Sequence, residues 1–181
     1  MVTPAILFVV GASGVGKTAA VRTLEARRMT GVRCYFFDSI GIPTAEVIEQ
    51  EWGSGEKFQE EMTKSWVERL AINEDNAEVA VLDGQTRPSF IQQHLARAGI
   101  GHNCLLMLDC ATTVRNARLR GPRRQPELAS DSMDAWAAYL RGQADALGLR
   151  VLDTSDISIE EVADVLQEES EALRRAIRAA A

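Results

Sequence analysis

Eight consecutive residues carry the clearest chemistry in the chain: Gly11-Ala12-Ser13-Gly14-Val15-Gly16-Lys17-Thr18. The spacing G-x-x-x-x-G-K-T lets a glycine-rich turn point successive backbone N–H groups into one cavity, where they cradle a phosphate tail. An apolar run at 6–10 precedes it and a helix-compatible stretch at 19–28 follows, so a helix adds its positive end to the cradle. Lys17 supplies a cation for the β- and γ-phosphates of a nucleoside triphosphate, and the Thr18 hydroxyl can enter a Mg²⁺ shell. ATP and Mg²⁺ are therefore the expected cofactors; the motif does not separate ATP from GTP.

Carboxylates and arginines further along fit the same chemistry. The run Val79-Ala80-Val81-Leu82 ends in Asp83, placed to hold Mg²⁺ through water, and the next residue is Gly84 rather than a Glu that would activate water for hydrolysis. Asp109 ends a similar run but reads as a strand-to-helix cap. Asp38 closes another run on the same expected sheet edge. It is either a carboxylate that takes a proton from a substrate hydroxyl or orients the metal, or an Asx-type cap on the turn into Gly41-Ile42-Pro43. Arg87, four residues past Asp83, brings a guanidinium either to a bound anion or to a surface salt bridge. Arg115, Arg118, Arg120, Arg123 and Arg124 crowd ten residues of an acidic chain. Such a run is either a solvated face or a lid that neutralises a transferring phosphoryl group, and the density favours the lid.

These residues need a scaffold, and the pattern supplies one. Five short apolar runs, at 6–10, 33–37, 79–82, 104–108 and 150–152, alternate with helical periodicity, which predicts a parallel sheet covered on both faces. The 181 residues fit one α/β domain. Helices are expected over 45–52, after Thr44 as N-cap, and over 56–72, separated by Gly53-Ser54-Gly55. They form a flap over about 41–73, with Phe58, Met62, Trp66 and Leu70 as its core stripe. The arginine-rich lid covers about 118–132, a helix is expected over 133–142, and the last helix opens with a Ser158/Glu161 capping box, turns charged beyond Glu168 and is expected to fray at Ala179–Ala181. His94 and His102 show no metal-type spacing and read as surface or loop residues. A formal net charge of −6 and a pI near 5.0 exclude nucleic acid as a main partner. Cys34, Cys104 and Cys110 read as buried free thiols of a reducing cytosol, and no stretch could cross a bilayer. A cytoplasmic monomer or weak dimer acting on a small-molecule acceptor is expected.

On these residues the chain resembles the small phosphate-loop kinases: nucleoside monophosphate kinases, shikimate kinase and gluconate kinase. The resemblance implies the three-layer P-loop NTPase fold, with a five-stranded parallel sheet of order 2-3-1-4-5, and a kinase activity that transfers the ATP γ-phosphoryl group. Asp83-Gly84-Gln85-Thr86-Arg87 is similar to the D-G-x-x-R of adenylate-type kinases, whose Arg grips an acceptor phosphate. Arg118, Arg120, Arg123 and Arg124 are similar to lid arginines. Asp153-Thr154-Ser155 resembles the closing turn, where backbone contacts adenine. Phe37-Asp38 and Gly55-Glu56-Lys57-Phe58 look like shikimate kinase, with Gln59 standing where that enzyme has a carboxylate-gripping Arg. If the acceptor group is a hydroxyl, Asp38 is the base; if it is a phosphate, Arg87 grips it.

Overall fold

The strand Ala5–Val10 (β1) has all six residues buried, as a run with no polar residue must if both its faces are covered. In the computed structural model, which describes residues 3–180, β1 lies at the centre of a sheet of order β2-β3-β1-β4-β5. Its partners are Val32–Phe36 (β2), Val79–Gly84 (β3), Asn103–Asp109 (β4) and Arg150–Asp153 (β5), and every pairing is parallel. This is the expected order. The register sets Val9 beside Asp83 and Phe36 beside the same Asp83, so the ends of β1, β2 and β3 meet at one edge. Ligands in open α/β sheets bind at that carboxyl edge.

Lys17–Ala26 (α1) leaves β1 and packs with the long C-terminal helix Ile159–Ala180 on one face of the sheet. The other helices, in chain order, are Ala45–Trp52 (α2), Gly55–Ile72 (α3), Pro88–Arg97 (α4), Thr112–Arg120 (α5) and Asp131–Ala146 (α6), which makes the C-terminal helix α7. Among these, α3 packs on α4 and α4 on α6, covering the other face. Helix starts are capped as their sequences dictate. Thr44 accepts from Val47 N–H at 3.5 Å and Ser54 from Lys57 N–H at 3.2 Å. Ser158 accepts from Glu161 N–H at 3.2 Å while the Glu161 carboxylate takes Ser158 N–H at 2.8 Å.

Four expectations need correction. Phe37 leaves β2 and starts a 3₁₀ turn, Phe37–Ile40, because its N–H turns inward to the Asp83 carboxylate. α6 runs past both ends of 133–142, its buried face built largely from the small Ala137 and Ala144 around Leu140. α7 continues to Ala180 with Leu173 buried beyond the charged stretch; Ala181 lies outside the described residues. His94 is buried at 5% exposure on the core side of α4 rather than at the surface, and burial lowers its pKa. The three cysteines are free, Cys110 buried and the others half-buried. No helix among the described residues is long and apolar enough to cross a membrane.

Two substitutions separate the layers of this account. Leu106→Ala empties a fully buried site in β4 and should cost about 3 kcal/mol. Ser158→Ala removes only the cap and should cost about 1 kcal/mol. Urea unfolding measures both, and equal losses would contradict the packing described.

Candidate active site

The glycine loop keeps its shape because it has no room for anything else. Gly14 sits at φ +90°, and a Cβ there would lie 2.8 Å from Arg115 Cγ and 3.0 Å from Leu119 Cγ. At Gly11 a Cβ would lie 2.4 Å from the Leu108 carbonyl oxygen. The floor is therefore α5, whose Arg115 is 2% exposed and ion-paired to Asp134 of α6, with Thr112 Oγ1 accepting at 3.3 Å. On the loop's flank, Thr154 Oγ1 donates to Val15 O at 2.8 Å and accepts from Arg118, whose second nitrogen donates to Thr154 O at 2.6 Å. The turn after β5 is thereby tied to the loop through one buried threonine.

Inside this frame three charged or polar groups converge. Thr18 Oγ1 donates to Asp83 Oδ2 at 2.5 Å, and Lys17 Nζ donates to Ala12 O at 3.0 Å. Lys17 is buried, and desolvation pushes its pKa from 10.5 down to about 8. Asp83 draws it back up, Arg123 lowers it further, and Asp38 raises it slightly. Burial also raises the pKa of Asp83, opposed by the Thr18 hydroxyl and by Lys17. The exposed Asp38 acts on both groups, which puts it at the mouth of the same site. Thr18 and Asp83 offer hard oxygens at one point and fit a divalent cation such as Mg²⁺. No group of three His, Cys, Asp or Glu among the described residues could hold a metal, so such an ion would complete its shell from phosphate and water.

Beside the loop a cavity of about 490 Å³ opens, lined by Gly14, Gly16, Thr18, Arg22, Arg118 and Arg123 among others. Its size suits a nucleotide. A smaller hollow of about 350 Å³ near Glu78 carries no comparable chemistry, because Glu78 is already paired with Arg174 and Arg178.

The structure divides the residues singled out from the sequence. Gly11 through Thr18, Asp83, Asp38, Arg118, Arg123 and Thr154 surround this site. Arg118 is pinned to Thr154, and Arg123 donates to Gln125 Oε1 at 3.0 Å while its charge acts on Lys17. Arg120 and Arg124 are exposed, and the Asp153 carboxylate folds onto Ser155 N–H and Oγ at 2.9 and 2.6 Å. Arg87 is held by side chains of α3 and α6. Its Nη1 donates to Gln59 Oε1 at 2.7 Å, its Nη2 pairs with Glu56 at 3.3 Å, and its Nε donates to Tyr139 Oη at 3.3 Å. Phe90, Trp136 and Tyr139 surround the guanidinium with ring centroids 5.2–5.6 Å away.

Sequence reasoning passed over the residues flanking Arg87. Ser13 Oγ donates to Gln85 Oε1 at 2.7 Å, and Thr86 shares a buried 2.8 Å hydrogen bond with Thr63 of α3. A Cβ at Gly84 would lie 3.1 Å from the Phe37 ring, so a larger residue there would require that ring to shift. Position directly after Asp83 was the one available signal for Gln85 and Thr86.

No protein-family model matches the sequence, and no curated protein does. Solved structures do. The chain is similar to shikimate kinase from Acinetobacter baumannii in complex with shikimate, at 15% identity with 92% of each chain covered and a TM-score of 0.61. It is similar to a gluconokinase from Sinorhizobium meliloti at 15% identity, covering 98% of this chain and 95% of that one, with a TM-score of 0.59. A sugar kinase from Janibacter sp. aligns at 18% identity over 93% and 95%, with a TM-score of 0.61. At these identities the likeness is one of fold: the chain has the three-layer α/β fold of the P-loop kinases.

The buried ammonium makes a thermodynamic prediction. Between about pH 8 and pH 10.5 the unfolded chain holds a proton at Lys17 that the folded chain has released, so this group's contribution to stability rises with pH across that window. Urea unfolding from about pH 7 to about pH 10 should show the wild type gaining roughly 2–3 kcal/mol on Lys17→Met. Parallel profiles would contradict a desolvated lysine.

Proposed function

We propose that the chain is a P-loop phosphotransferase that moves the γ-phosphoryl group of ATP to a small-molecule acceptor, through a hydroxyl. The observation that carries this reading is the Thr18–Asp83 contact at the mouth of the glycine loop, beside the buried Lys17 and facing Asp38. In it, residues 41–73 act as the acceptor flap and 118–132 as the lid of one kinase domain.

Loop N–H groups from Gly14 to Thr18 and the Lys17 ammonium bind the β- and γ-phosphates. Lys17 spends one N–H on Ala12 O and keeps two for phosphate oxygens. Magnesium, when bound, neutralises charge on those oxygens, with Thr18 and Asp83 as the residues that would hold it. Arg123 stabilises negative charge on the transferring group. Asp38 accepts the proton of the acceptor hydroxyl as its oxygen bonds to the γ-phosphorus, while the bond to the β–γ bridging oxygen breaks and ADP leaves. Arg118 and Thr154 shape the nucleotide side of the loop.

Two observations favour a hydroxyl over a phosphate as the accepting group: Asp38 is exposed beside Lys17, and the donors of Arg87 are engaged with α3 and α6. Gly84 after Asp83, with Phe37 packed against it, leaves no carboxylate there to activate water, which favours transfer over hydrolysis.

ADP release from MgATP should rise when a suitable hydroxyl compound is added and should vanish in Lys17→Ala. Asp38→Asn should lower kcat at least a hundredfold with a much smaller change in KM. Hydrolysis indifferent to every added acceptor would contradict the kinase reading, and an unchanged kcat in Asp38→Asn would remove Asp38 as the base.

A further inference from the structure

Resting on that reading, we infer that Glu56 is a specificity determinant which closes the acceptor side to anionic compounds and leaves it to hydroxyl acceptors bearing no phosphate or carboxylate. The starting point is the state of Arg87. A guanidinium recognises an anion by presenting two parallel N–H groups along one edge of its fork. Here each edge already has an occupant. Gln59 takes Nη1 and Glu56 takes Nη2 on one side, and Tyr139 takes Nε on the other.

The guanidinium is also hemmed in by three rings, those of Phe90, Trp136 and Tyr139, and its side chain is 15% exposed. Its positive charge is paired with Glu56 at 3.3 Å and lies over aromatic surface. An incoming phosphate or carboxylate must displace a carboxylate that is covalently part of the flap and therefore always present. Gln59 brings no second cation, only an amide oxygen that accepts from Arg87.

Charge over the flap acts in the same direction. Between Asp38 and Thr63 seven carboxylates stand against the single Lys57, a formal −6 that equals the net charge of the whole chain. Outside this segment the acids and bases balance. The flap that an acceptor approaches thus carries a strong net negative charge, and it repels anions before any contact is made. The cavity beside the glycine loop is lined instead by Arg22, Arg118 and Arg123, cations that suit a nucleotide's phosphates.

The test uses matched pairs that differ by one anionic group: AMP with adenosine, gluconate with glucose, and a further sugar phosphate with its free sugar. ADP release is followed with MgATP and the full chain. The expected result is that any pair giving turnover does so through its uncharged member. In Glu56→Gln, whose exposed position in the first turn of α3 tolerates the change, the ratio of kcat/KM for the anionic member to that for the uncharged one should rise roughly tenfold, since a charged partner of Arg87 has been removed. A second readout does not need turnover. The ¹⁵N resonance of Arg87 Nε should stay put when inorganic phosphate is titrated into the wild type and move in Glu56→Gln. Wild-type turnover of an anionic member over its uncharged analogue, or a ratio unmoved by Glu56→Gln, overturns this inference and leaves the kinase reading standing. Absence of acceptor-stimulated ADP release from every compound sinks both.

Discussion

An ammonium, a carboxylate and a hydroxyl sit together at the end of three apolar strands, and the rest of the molecule is arranged so that this is tolerable. Moving Lys17 out of water is costly, as the fall of its pKa to about 8 records. Asp83 answers it with charge, Thr18 answers Asp83 with a 2.5 Å hydrogen bond, and Ala12 accepts from the lysine directly. A phosphate tail would relieve the same strain, which is how a site built around a partly compensated cation binds anions. The parallel pairing of β1 with β3 sets Asp83 beside Val9, at the end of the strand that leads into the loop.

A second layer holds that arrangement still. The loop rests on Arg115, itself locked to Asp134, and is fastened along its side by Thr154. On the other side the three residues Gln85, Thr86 and Arg87 reach in three directions. Gln85 touches the loop through Ser13, Thr86 touches α3 through Thr63, and Arg87 joins α3 to α6. A short turn after β3 therefore links the nucleotide side to the helices that would meet an acceptor. By contrast α2 has no buried residue and packs chiefly on α3, between Gly41 and Gly53, both at positive φ with open space around them. That is the construction of an element able to move while its neighbours stay fixed.

Much of this is legible in the sequence itself. A buried parallel strand is a closed apolar run, so strand limits came out within a residue or two, and the glycine loop announces itself because its spacing encodes backbone geometry. Periodicity failed where burial uses small side chains, as in α6, and it treated His94 as polar surface although α4 buries it. The arginine run shows the deeper limit. Arg115 and Arg118 lie one helical turn apart and look alike in sequence, yet one is a buried strut and the other holds the Thr154 turn. Likewise the partners of Arg87 come from α3, α4 and α6, at separations that no local pattern records.

The proposed function requires that a partly neutralised cation in a cradle of backbone amides should prefer a nucleotide's phosphates, with a divalent ion beside them, to its own contacts. Calorimetric titration of ATP into the intact protein, with and without magnesium, measures that preference directly. Saturable uptake at one site, tightened by magnesium, is the expected result. Flat traces under both conditions, from protein shown to be folded, would contradict it.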